Sequence, residues 1–193
     1  MSQTGYDDAA VNRAALAAKA GDRAAASTFV EMTQRSVRRF LAHLCDAGEV
    51  DDLAQETYLR ALPALTRFAG QSSARTWLLA IARNVAADHI RAVVRRPRPT
   101  SLDARDADAA TPRALRSAGF DEGVALRHLL DTLAPDRREA FIATQVLGLS
   151  YAEAAEVCSC PVGTIRSRVA RAREDLVTAY RQDQSTPRSQ GAL

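Results

Sequence analysis

Apolar residues recur at helical spacing through four stretches before residue 97, at roughly 7–20, 24–45, 49–67 and 73–96, where positions three and four apart share a face. Gly21, Gly48 and Gly70 fall in the gaps, as helix ends favour. The texture then changes. Residues 97–121 hold Pro97, Pro99 and Pro112 among scattered Arg and Asp, with few large apolar residues, the composition of a flexible linker without its own core. Helical spacing resumes at about 122–133, 135–147, 150–158 and 161–182, with Pro135 suited to a first turn. Apolar–polar alternation never holds for five residues, so no strand is predicted. The pattern predicts an all-α chain: two small helical domains, 1–96 and 122–182, joined by the linker 97–121 and followed by a polar tail, 183–193.

Composition agrees with this reading. A length of 193 residues allows one ordinary domain or two small ones. The 39 alanines and an aromatic share of 5% favour helices over sheets. Cys45, Cys158 and Cys160 cannot build a disulfide framework, which points to a reducing compartment. The polar, acidic start has no signal pattern and no run approaches eighteen apolar residues, so a cytoplasmic protein without a membrane partner is expected.

The net charge of +3 says little until it is divided along the chain. Between Asp46 and Glu56 there are five acids and no base; between Arg67 and Arg98, seven arginines face the single acid Asp88. From Pro161 to Arg173 there are four arginines and no acid. Solvated helix faces usually interleave signs, so single-sign blocks point to partners of opposite charge. Lys19 is the only lysine among 26 basic residues.

Near the C-terminus, Ser150-Tyr151-Ala152-Glu153 reads as a capping box. The short helix it opens is interrupted by Cys158-Ser159-Cys160-Pro161, and Pro161 can start another. A short helix, a tight turn and a longer basic helix make a helix-turn-helix pattern. On a helical wheel Val162, Ile165, Val169, Ala172 and Leu176 form the apolar stripe. The opposite side carries Thr164, Ser167, Ala170 and Arg171, flanked by Arg166 and Arg168. Small side chains let such a helix sink into a major groove, while arginine forks reach phosphates or guanine edges.

The run from Cys160 to Arg173, CPVGTIRSRVARAR, resembles region 4.2 of the extracytoplasmic-function sigma factors, group 4 of the sigma-70 family, and most of all its actinobacterial sigma C-like members. The resemblance implies that Thr164, Arg166, Ser167, Arg168 and Arg171 meet the −35 promoter element. Ser159 departs from the pattern, since the family often has glycine in the turn and serine is less comfortable at positive φ.

Asp51 to Ala61, DDLAQETYLRA, resembles region 2.2 of the same family. Asp52 and Glu56 share a stripe with Gln55 and Leu59 alongside, while Val50, Ala54, Tyr58, Ala61 and Leu65 face inward. An acidic stripe suits a basic protein surface, not DNA. The resemblance makes Asp51, Asp52, Gln55, Glu56 and Leu59 the docking set for core RNA polymerase. Ser73 to Arg91 resembles regions 2.3 and 2.4, with Trp77, Ile81, Asn84, Asp88 and Arg91 along one stripe. Captured single-strand bases need stacking platforms, amides and cations. In the family, the loop equivalent to Phe68–Ser73 holds a flipped −10 base. Phe68, Arg75, Trp77, Arg83, Asn84 and Arg91 are the expected −10 contacts. As a residue type the lone tryptophan fits core and platform equally, and Asp88 suits an ion pair with Arg91.

No glycine-rich phosphate loop, nucleophile elbow or structural-zinc spacing is present, so neither a cofactor, a metal nor a catalytic residue is expected. The resemblance implies a sigma factor that is no enzyme. Its expected partners are core polymerase, through clamp and flap regions, and promoter DNA, with an anti-sigma factor as a further candidate. The rival readings are a stand-alone helix-turn-helix regulator and a cysteine-based metal or redox sensor.

Overall fold

The protein is described by a computed structural model covering residues 8–95 and 129–185. Helix α1 spans Asp8–Lys19 and α2 spans Arg23–Leu41. Between them Gly21 takes φ +100°, and the Asp22 carboxylate accepts the Ala24 and Ala25 amides at 2.8 and 3.0 Å, satisfying two donors that a helix start leaves open. A 3-10 turn, Ala47–Glu49, leads into α3, Val50–Ala64, and a second, Leu65–Arg67, closes it. Helix α4 spans Ala74–Arg95. The C-terminal part begins its named helices with α5, Pro135–Phe141, which continues as a π turn over Ile142–Val146. Helices α6, Tyr151–Val157, and α7, Val162–Ser185, follow. Among the described residues there is no strand.

The expected helix over 24–45 stops at Leu41. Beyond it His43 and Leu44 donate to Phe40 and Leu41, three residues back, so the chain tightens into turns. At the other end α7 runs to Ser185, past the expected limit of 182. The expected linker, 97–121, lies outside the described residues, as does most of the 122–133 stretch.

Two helical domains follow from where the apolar faces meet. In the first, Val11 and Ala15 of α1, Phe29, Val37 and Phe40 of α2, Leu53 and Ala61 of α3, and Leu78, Leu79 and Val85 of α4 are buried together. Each large side chain contributes about 2 kcal/mol by leaving water. The buried Thr33 hydroxyl is satisfied: its Oγ1 donates to the Phe29 carbonyl at 2.6 Å and lies 2.9 Å from the Tyr58 hydroxyl. Burial pushes the Tyr58 phenol up to about 12, although the Thr33 contact opposes it. In the second domain Leu130, Ile142, Ala143, Ala154, Val157, Ile165, Val169 and Ala172 form the core. The two domains meet where α4 packs against α6.

Candidate protein and nucleic-acid interfaces

Helix α3 buries Val50, Leu53, Ala54, Thr57 and Ala61 and turns Asp51, Asp52, Gln55 and Leu59 to solvent. Glu56 is half-buried, and Leu59 is 61% exposed, large for an apolar side chain with no internal partner to cover it. The acidic face is not uniformly bare. Arg38 of α2 reaches Asp51 at 3.2 Å. Arg60 holds Glu56 and Asp88 at once, at 2.7 Å each, tying α3 to α4. Hydrogen bonds from Arg60 and then Arg91 hold the Asp88 carboxyl below its ordinary range. Asp88 therefore pairs with Arg91, as its spacing suggested, and also with a residue 28 positions earlier.

The expected −10 residues do not share one environment. Phe68 is buried, with its ring centroid 5.2 Å from that of Trp77 and the planes tilted by 50°, so the two aromatics form a pair at the foot of the loop. Trp77 is half-buried. Asn84 and Arg91 are exposed on the outer side of α4. Arg75 and Arg83 lie on the side that meets the C-terminal domain. Arg75 is buried and its Nη2 donates to the Leu147 carbonyl at 2.7 Å. Arg83 Nε donates to Glu139 at 2.6 Å, and Nη2 reaches the other carboxylate oxygen at 3.5 Å. This bond to Glu139 holds the Arg83 guanidinium above its ordinary value against the opposing effect of burial. Next to them, the Thr76 hydroxyl donates to Glu153 at 3.4 Å.

The loop between Phe68 and α4 is fastened at both ends by α1. Lys19 Nζ donates to the Phe68 carbonyl at 2.7 Å, and Asn12 Oδ1 accepts the Ala74 amide at 2.6 Å. Within the loop Gly70 takes φ +69°. Ser73 Oγ accepts the Thr76 amide at 3.0 Å. Sequence reasoning missed Asn12, Lys19 and Glu139. A lone lysine in an arginine-rich chain was the one available signal.

The helix-turn-helix is built as its residues dictate. Ser150 Oγ accepts the Glu153 amide at 3.2 Å, and Glu153 accepts the Ser150 amide at 2.8 Å, closing the capping box. At the far end of α6 Ser159 adopts φ +51°. The Ser159 amide donates to Glu156 and the Cys160 amide to Ala155, the paired bonds of a Schellman turn. Helix α7 then buries Ile165, Val169 and Ala172, while Val162 is 36% exposed at its mouth. Arg166, Ser167 and Arg171 face solvent, and Thr164 is half-buried, with its carbonyl accepting the Ser167 hydroxyl at 2.9 Å. Arg168 is engaged within the domain, 3.1 Å from Asp136. Arg137 and Asp175, 2.6 Å apart, tie α5 to α7. Arg173 donates to Gln145 at 3.0 Å.

The three cysteines are free thiols. Burial, with Glu139 and Cys160 nearby, pushes Cys158 up to about 12, and burial beside Asp46 and Glu49 pushes Cys45 up to about 11. Neither is a ready thiolate nucleophile at neutral pH. No helix is long and apolar enough to cross a membrane among the described residues.

Comparison with known proteins fits this geometry. The family model for Sigma-70 region 2 matches residues 29–96, and that for Sigma-70, region 4, matches residues 123–176. The ECF RNA polymerase sigma factor SigC of Mycobacterium tuberculosis is 50% identical over 191 residues, covering 96% of this chain and all of that protein. Among solved structures, CnrH in complex with the cytosolic domain of CnrY shares the fold, with TM-score 0.71, 24% identity and coverage of 90% of this chain and 99% of that one. The sigma factor RpoE of Bartonella quintana, crystallised with the anti-sigma factor NepR, gives TM-score 0.63 at 25% identity, covering 80% and 96%. Both regions match in order, along nearly the full length of a close relative, and the chain belongs to the extracytoplasmic-function group of the sigma-70 family.

Proposed function

We propose that the chain directs promoter-specific transcription initiation as a subunit of RNA polymerase, acting in the cytoplasm and performing no covalent chemistry itself. The exposed acidic face of α3, with Asp51, Asp52, Gln55, Glu56 and Leu59, docks on the polymerase clamp. Helix α7 enters the −35 major groove with Thr164, Arg166, Ser167 and Arg171, while Arg168 buttresses it from Asp136. Helix α4 and the loop before it engage the −10 strand, with Asn84 and Arg91 outermost.

The observation that carries this reading is the presentation of α7. A capped α6 and a Schellman turn fix its angle, three buried residues fix its rotation, and Arg166 and Arg171 face solvent in consequence. An anti-sigma partner is supported by the Bartonella relative, whose solved complex contains one. Run-off transcription with purified core polymerase tests the reading. Added chain should produce promoter-specific transcripts from genomic templates, and Asp52→Lys with Glu56→Lys should lower core affinity at unchanged helical content. DNA binding with no transcript and no core affinity would instead support a stand-alone regulator.

A further inference from the structure

The loop of residues 69–73 bridges two elements whose exposed ends need partners. The Phe68 amide closes the 3-10 turn onto Leu65, leaving the Phe68 carbonyl at its end, and the Ala74 amide opens α4, so each is an orphan of the kind a helix end leaves. Both are satisfied from the same distant helix. Lys19 takes the carbonyl, 49 positions away in sequence, and Asn12 takes the amide, 62 positions away. Asn12 and Lys19 are seven apart, two turns of α1, so they project from one face about 10 Å apart along its axis. The ends of the loop are thus held at a spacing set by a rigid helix.

The chemistry suits each end. A lysine ammonium is a compact point donor on a long stem, and it matches a single carbonyl better than a planar guanidinium would. The Asn12 side-chain carbonyl accepts the Ala74 amide it faces and serves as an N-cap supplied from outside the helix. Gly70 at φ +69° permits the reversal between the two anchors. Helix α1 lies before residue 29, where the match to the family model begins, so nothing in that match assigns it this task.

We infer that Lys19 and Asn12 are positioning residues for base capture: α1 acts as a strut that sets the width of the 69–73 loop, without touching nucleic acid. This rests on the proposed role of that loop in holding a −10 base. A flipped base must fit between the loop and α4, and both ends of that space are then fixed before the base arrives, which lowers the cost of ordering them on binding.

The test uses the full chain bound to core polymerase and a fork template from a run-off-active promoter, with duplex −35 DNA and a single-stranded −10 tail. Lys19→Met and Asn12→Ala should each weaken binding to the fork roughly five- to tenfold, leaving affinity for core and for the −35 duplex alone unchanged. Lys19→Arg and Asn12→Asp, which keep a donor and an acceptor, should recover most of the loss. Hydrogen exchange gives a readout independent of DNA: amides of residues 70–73 should exchange faster in the two disruptive variants.

Loop substitutions Gln71→Ala and Ser72→Ala separate the inference from the reading beneath it. If they weaken fork binding while the α1 variants leave binding and exchange as in the parent, the strut is wrong and the loop reading stands. If neither set matters, both fall. Equal losses on the fork and the −35 duplex would mean that α1 serves only general stability, and would likewise overturn the inference.

Discussion

Ser159 is the residue where local geometry and side chain disagree most. It holds φ +51° at the position after the last helical turn of α6, where glycine avoids a steric penalty that other residues incur. The disagreement was visible in the sequence as a serine in a turn that often carries glycine. The structure shows what sustains it: two main-chain bonds, from Ser159 to Glu156 and from Cys160 to Ala155. Ser159→Gly should stabilise the C-terminal domain by about 1 kcal/mol, a rise of several degrees in Tm. A thermal melt showing no gain would mean that the turn carries no strain. Lys19 makes the opposite point. Its singularity was legible, but its partner was not, because a lysine-to-carbonyl bond across 49 positions leaves no periodic trace.

At the scale of elements, the sequence carried most where a helix end is chemically marked. The Ser150–Glu153 box and Pro135 each announce a start, and each stands where α6 and α5 begin. Helix ends without such marks were misplaced: α2 stops at Leu41 because the following residues turn, not because a breaker is present. The capping box also gives α6 a pH dependence. Burial raises the Glu153 carboxyl, but the Ser150 amide and hydroxyl, Thr76 and the Arg75 charge together outweigh it and leave it below its ordinary value. A carboxyl depressed in the folded state adds stability above its unfolded pKa of about 4.3 and loses it as pH falls through the folded value. Glu153→Gln keeps an acceptor for the Ser150 amide while abolishing the titration. It should therefore destabilise the chain near neutral pH, and the gap to the parent should close as pH falls from about 6 to about 3. Urea melts across that range check this, and a constant gap would remove the charge from the account.

The arrangement of the whole molecule was the part least legible in the sequence. Charge blocks and wheels suggested which surfaces carry function, yet they treated Arg75 and Arg83 as free cations. In the folded chain Arg83 is held by Glu139 across 56 positions, and Arg75 by the Leu147 carbonyl across 72. Neither partner stands out locally, since Glu139 looks like any surface glutamate until the second domain places it there. Breaking this contact should open the pair of domains. Glu139→Gln removes the charge from the bond and should shift the balance toward open forms by about 2 kcal/mol, roughly thirtyfold. Small-angle scattering would read this as a larger radius of gyration, and a fork template as tighter binding through α4. An unchanged radius would show that Arg83 and Glu139 do not hold the domains together.

The contact between α4 and the second domain engages one set of arginines and leaves Arg166 and Arg171 of α7 in solvent. With α4 reading the −10 strand as proposed, closure of this kind multiplies the apparent affinity of that surface by the fraction of molecules that are open, and by the same factor for every DNA sequence. Ratios between good and poor −10 sequences are therefore untouched. Occupancy at a given concentration falls for all of them until something else holds the domains apart. On that proposed role, the contact would govern the setting in which α4 reads DNA and leave to the side chains what it reads there.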